Sequence, residues 1–182
     1  MTVHLTGTPV LETERLILRA PEGRDYDAFW AFAQTDRAKF IGGPFKEQAA
    51  WRGFGHLIGH WAMRGYGMFI VTLRGQDVAL GAVGPWYPAT WNDHEIGWSL
   101  WSTGAEGTGI AHEAALATRA YAYGTLGWTT AVSNIDVDNM RSRALAERLG
   151  AVIDPNAAKM PLPDDDETEV LVYRHPSPEA LS

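Results

Sequence analysis

The sequence predicts one α/β domain whose elements follow the order βααβββαβαββ, about seven strands and about four helices. Three observations carry this reading. Short segments with alternating apolar residues are separated by longer ones with apolar residues at helical spacing. Two of the short segments are joined by the tight turn Gly75-Gln76-Asp77, the pattern of a β-hairpin. A third runs through Gly104, Gly107 and Gly109 straight into a helix of small and apolar residues. At 182 residues the chain can bury a sizeable core without metals or disulfides.

The elements follow in order. Residues 11–20 set Leu16 and Leu18 against Arg15, Ile17 and Arg19, a first strand ended by Pro21. Asp25 caps a short helix carrying Phe29, Phe32 and Ala33. After the turn Gly42-Gly43-Pro44 comes a helix over 46–64, with Ala50, Phe54, Leu57, Ile58 and Trp61 on one stripe. Its interior Gly53, Gly55 and Gly59 each cost about 1 kcal/mol relative to Ala, so packing must hold it. Strands at 67–74 and 78–84 form the hairpin.

Residues 85–92, PWYPATWN, read as a loop whose Trp86, Tyr87 and Trp91 serve ligand contact or a packing lid. The strand 93–101 places Asp93, Glu95, Gly97, Ser99 and Trp101 on one face, and His94, Ile96, Trp98 and Leu100 on the other. A helix over 110–125 buries Ala114, Ala117 and Tyr121. Then come a strand at 129–133, a helix capped at Asp138 or Asn139 and stopped by Leu149-Gly150, and a brief strand at 151–154. Residues 155–168, with the run DDDETE, read as a solvated loop. Adjacent carboxylates such as Asp164 to Asp166 rarely converge on one cation, so no metal site is expected there. The last strand is 170–175, and the tail 176–182 frays.

Composition excludes several function classes. A net charge of −7 argues against a nucleic-acid or anionic-membrane partner, because both call for a basic face. Cysteine is absent, which removes disulfides, thiolate catalysis and cysteine metal sites. The N-terminal residues show no basic stretch followed by an apolar run, and no segment approaches the roughly 20 apolar residues that span a bilayer. A cytoplasmic protein is the expectation.

The glycine loop reads as an anion cradle, since glycines let backbone approach a ligand and the helix start offers unpaired N–H groups at its positive end. No Lys or Arg lies between Trp98 and Ala117, so backbone amides must hold any phosphate. A Walker A loop needs Lys then Ser or Thr after its last glycine, where Ile110 and Ala111 stand. A dinucleotide fingerprint starting at Gly107 needs a small residue where His112 stands. The pyrophosphate loop of acetyl-CoA-dependent N-acetyltransferases has Gln or Arg, two residues, Gly, one residue, then Gly or Ala. Gly107-Thr108-Gly109 resembles it, with Gly104 in the Gln/Arg place.

Residues 132–151, VSNIDVDNMRSRALAERLGA, are more specific. They closely resemble the VSxIxxxNxxSxxLAERLGA segment of the RimJ/RimL-like branch of the GNAT acetyltransferases. LETERLILR at 11–19, EIGWSL at 95–100 and YRHP at 173–176 extend the likeness over most of the chain. The resemblance implies the GNAT fold, an α/β sandwich on a mixed, mostly antiparallel sheet spanning residues 1–182, with acetyl-CoA as co-substrate, no metal and direct transfer to an amine. The acceptor is a protein N-terminus or a small amine, and the assembly a monomer or homodimer.

The implied roles follow residue by residue. Backbone amides of Gly107, Thr108, Gly109, Ile110 and Ala111 bind the pyrophosphate, and the strand backbone at Trp98, Ser99, Leu100 and Trp101 pairs with the pantetheine arm. Asn139 and Ser142 face the coenzyme. Glu95 is the candidate base, as the resemblance places a Glu at this point of the strand to act through water. A strand Glu between apolar neighbours is also partly desolvated, which raises its pKa toward a useful range. His94 is a rival that points to the opposite face, and His112 reads as structural. Many family members place a Tyr acid where Ala146 stands, so Ser142 is the substitute for protonating the leaving thiolate. A non-catalytic acyl-CoA-binding domain on the same fold is the alternative; it would keep the cradle without needing Glu95.

Overall fold

The computed structural model describes residues 5–158, 160 and 168–181; the carboxylates 164–166 lie outside them. Eight strands form one sheet in the order β1-β2-β3-β4-β5-β6-β8-β7. They are β1 Leu11–Glu12, β2 Leu16–Arg19, β3 Phe69–Leu73, β4 Gly81–Trp86, β5 Glu95–Leu100, β6 Val132–Asp136, β7 Val152–Ile153 and β8 Val170–Arg174. Every neighbouring pair is antiparallel except β5 with β6. The helices are α1 Tyr26–Ala33, α2 Glu47–Arg64, α3 Ile110–Gly124 and α4 Met140–Arg148.

Alternation along the strands fills two cores. Val71 and Val83 face Ala114 and Ala115 of α3 and Leu145 and Leu149, at the C-terminal end of α4, in one apolar cluster with Leu16, Leu18 and Phe69. Ile70 and Ala82 face the other way, onto Phe29, Phe32 and Phe54 of α1 and α2. The helix pairs therefore cover opposite faces of the sheet. Truncating Phe29 or Phe54 to Ala would cost about 3–5 kcal/mol, the usual range for a buried aromatic.

Several expectations are corrected. The first strand breaks in two because Thr13 turns the chain: its N–H donates to Leu16 O, and its Oγ1 accepts from Leu16 N–H. β1 then folds back on β2. Asp25 does not cap α1 with its side chain; its carboxylate takes two bonds from the Arg19 guanidinium and one from Glu22 N–H. Trp86 belongs to β4, opposite Glu95, rather than to the following loop. A 3-10 segment, Asp36–Ile41, links α1 to α2 and has no periodic signal in the sequence. β6 starts at Val132 because pairing with β8 defines it.

Candidate active site

β5 and β6 meet at a single register pair, Glu95 with Val132, and diverge beyond it. Bonds at the junction include Val132 N–H to His94 O and Ser133 Oγ–H to Ile96 O, the latter at 2.7 Å. Which backbone groups of β5 face the opening follows from alternation. Trp101 N–H is bonded to Leu80 O, and Pro85, which has no N–H, stands opposite Ile96. Odd-numbered residues of β5 therefore bond to β4, and His94, Ile96, Trp98 and Leu100 turn their backbones toward β6. Arg37 already occupies Leu100 O and Trp101 O. Of the four residues expected to pair with a pantetheine arm, Trp98 and the N–H of Leu100 present backbone groups to the gap. The backbones of Ser99 and Trp101 are engaged elsewhere.

The gap opens into a cleft of about 630 Å³ whose lining includes Glu95, Asn139, Ser142, Trp86, Trp91 and Asn134. Glu95 and Ser142, distant in sequence, thus share one cavity. Glu95 Oε2 accepts from Trp91 Nε1 at 2.5 Å and from Asn134 Nδ2 at 2.9 Å, an arrangement that sequence reasoning missed. Neither residue carries a pattern that would have announced it. Both bonds fall on one oxygen. Burial pushes the Glu95 carboxyl above its ordinary value, and hydrogen bonds from Trp91 and from the side chain and backbone of Asn134 pull it partly back. Gly97, next on the same face, keeps space clear, since a Cβ there would sit 2.4 Å from Met68 Cε.

His94 lies on the other side, stacked on Trp128 with ring centroids 4.3 Å apart. Tyr87 packs against His94 rather than lining the cleft, unlike Trp86 and Trp91. His60 stacks on Trp86, donates from Nδ1 to Tyr66 O and accepts from Tyr87 N–H at Nε2, which fixes it as the neutral ring. His112 approaches Arg148 O at 3.4 Å on the surface.

Across the gap, Asn139 caps α4 by accepting from Ser142 N–H through Oδ1. Trp98 Nε1 donates to Ser142 Oγ at 3.1 Å, which leaves the hydroxyl proton of Ser142 to donate. Ala146 is fully buried one turn on, with no group to offer.

The glycine loop lies at the start of α3. Gly107 and Gly109 have φ of 73° and 83°, left-handed values that side chains rarely adopt. Among the described residues, the six amides from Gly107 to His112 donate to no protein group. Together with the positive end of a 15-residue helix they present the geometry and polarity that an anion requires. Gly109 is the helix N-cap, so the Gln/Arg-x-x-Gly-x-Gly/Ala spacing also fits Glu106, Gly109 and Ala111. In that register the cation's place is held by an acid.

Cations come to the loop from elsewhere in the chain. Arg15 Nη1 donates to Thr108 O and its Nε pairs with Glu113 at 2.6 Å, while Arg37 and Arg141 both pair with Glu106. The absence of Lys and Arg between Trp98 and Ala117 leads to backbone amides as the holders of any phosphate; three arginines from elsewhere in the chain nonetheless border the loop, brought there by tertiary contacts.

A family model described as an acetyltransferase (GNAT) domain matches residues 15–152. An acetyltransferase from Agrobacterium tumefaciens strain C58 is 34% identical over 97% of this chain and 99% of that one, with a TM-score of 0.84. A GNAT family acetyltransferase from Bacillus anthracis shares the fold at 22% identity, covering 91% of this chain and 97% of the other, with a TM-score of 0.74. RimL, a ribosomal L7/L12 alpha-N-protein acetyltransferase, shares it at 18% identity, covering 96% and 99%, with a TM-score of 0.71.

Proposed function

This chain belongs to the GNAT acetyltransferase family, and from that premise we propose that it transfers the acetyl group of acetyl-CoA directly to an amine, either a protein N-terminus or a small molecule. The observation that carries the proposal is one cleft holding both a desolvated carboxylate and a hydroxyl with a free proton.

The residues fit the co-substrate. Amides of Gly107, Thr108, Gly109, Ile110 and Ala111 suit a pyrophosphate, with Arg15 and Arg141 adding positive charge nearby. Trp98 and Leu100 N–H at the β5 edge suit the amides of the pantetheine arm, which would lie along β5 as an added strand. Asn139 keeps its Nδ2 for the same side. Acetyl-CoA, when bound, supplies the acetyl group as a thioester.

The chain's own residues handle protons. An alkylammonium has a pKa near 10, so at neutral pH it must lose a proton before it can attack. The Glu95 carboxylate, positioned by Trp91 and Asn134, accepts that proton directly or through a water. Ser142 Oγ–H, oriented by Trp98, donates toward the departing sulfur. Trp86 and Trp91 give the acceptor side aromatic faces that attract a cationic amine. No step in this mechanism uses a metal, and the protein works in the cytoplasm as a monomer or homodimer.

Coenzyme release by the purified protein, followed over a panel of small amines and N-terminal peptides, tests the proposal. Acetyl-CoA binding without turnover on any amine would leave a binding domain in place of an enzyme.

A further inference from the structure

The 3-10 segment Asp36–Ile41 and the residues just after it supply one end of the cleft, with Lys39, Phe40, Ile41 and Gly42 on its wall. Arg37, in the same segment, turns away from that wall and reaches the glycine loop. Its Nε and Nη2 donate to Glu106 Oε1 at 2.9 and 2.5 Å. Nη1 donates to Trp101 O at 2.6 Å, and Nη2 also to Leu100 O at 3.1 Å. One guanidinium thus binds the last carbonyl of β5, the residue after it, and the acid immediately before the six free amides. Its fork of donors can hold a carboxylate and two carbonyls at once, which an ammonium cannot.

Glu106 completes the bridge on its other oxygen, where Arg141 of the first turn of α4 donates to Oε2 at 2.5 Å. The two arms are unequal. The Arg141 side chain is 86% exposed, so its pairing is weak, whereas Arg37 and Glu106 are 29% and 31% exposed and share several bonds. The carboxylate is held below its ordinary value by the two arginines, against a desolvation that would raise it, and stays charged at neutral pH.

We propose that Arg37 is a positioning residue that couples the coenzyme cradle to the wall of the cleft formed by residues 39–42. Any change in the 104–112 backbone on binding an anion passes through Glu106 to Arg37 and so to residues 39–42. This rests on the reading that the cradle takes acetyl-CoA. The consequence is that this wall takes its working position once the coenzyme is in place.

Hydrogen–deuterium exchange of the full chain, with and without coenzyme A, tests the coupling. In the unaltered protein, coenzyme A should slow exchange over both 104–112 and 36–45. Arg37→Ala should keep the slowing at 104–112 and lose it at 36–45. Glu106→Ala, which removes the acceptor of Arg37 and leaves the bonds to Leu100 and Trp101 intact, should do the same and serves if the first variant does not fold. A response at 36–45 that survives in Glu106→Ala, or one missing from the unaltered protein while 104–112 responds, overturns the coupling. No response at 104–112 in the unaltered protein removes the acetyl-CoA reading, and the coupling with it.

Discussion

Replacing Glu95 by Gln removes the proton acceptor while keeping its surroundings, because a Gln carbonyl can still accept from Trp91 and Asn134. The size of the effect follows from the acceptor's own acidity. An amine of pKa about 10.4 is neutral in roughly one molecule in 10³ at pH 7, and a positioned base is worth about 10²–10⁴ in rate. Turnover with such an amine should fall about 10³-fold at pH 7. The deficit should then narrow about tenfold per pH unit as the amine deprotonates unaided. With an N-terminal peptide, whose α-amino pKa is about 8, the deficit at pH 7 should be only about tenfold and should close near pH 8. The pH at which the variant recovers therefore reports the acceptor class. Stability should move the other way. The folded pKa of Glu95 is raised, so its contribution to stability is complete below the unfolded value and is lost as pH rises through the folded one. Gln carries no charge to bury, and the variant should melt at or above the temperature of the unaltered protein at pH 7. Steady-state rates between pH 6 and 10, with thermal melts alongside, provide the assay. A loss equal at every pH would refute Glu95 as the base, and a lower melting temperature would refute the cost assigned to burying its charge.

The other predictions address the cradle, the hydroxyl and the core. Gly109→Val places a branched side chain at φ 83° and crowds Arg15 Nη2, so calorimetry should detect no coenzyme A binding in a protein that still folds; unchanged affinity would remove the loop from the mechanism. Ser142→Ala should lower kcat roughly 10²-fold with little change in the acetyl-CoA KM, as expected for an interaction made only in the transition state, whereas an effect confined to KM would make Ser142 a binding residue. His175, buried and next to Arg119, has its pKa pushed down to about 4 from 6.5. Its neutral form contributes up to about 3 kcal/mol above pH 6.5 that is lost as pH falls toward 4, so denaturant midpoints of His175→Gln should depend less on pH in that window. Parallel pH profiles for the two proteins would show that His175 stays neutral for no structural reason.

Local physics made much of this protein legible from its sequence. Period-2 and period-3.6 patterns located the strands and helices, since burial of one face is imposed on consecutive residues. Left-handed glycines and a helix start sit next to each other in the chain, so the geometry of this loop could be read directly. Glu95, Asn139 and Ser142 were named from their motifs, and all three line one cleft. The break in the first strand was not legible because the Thr13 hydroxyl competes with the ladder through a single local bond that no periodicity records. What only the tertiary structure decided is how groups far apart in sequence meet. Arg15 reaches Thr108 across 93 residues, Arg37 reaches Glu106 across 69, and Asn134 reaches Glu95 across 39. The divergence of β5 from β6 selects which backbone groups of β5 stay free, and a parallel pair limited to one register has no sequence signature. Side-chain direction, charge pairing and desolvation at the site depend on how the sheet brings these segments together, which the order of residues alone does not specify.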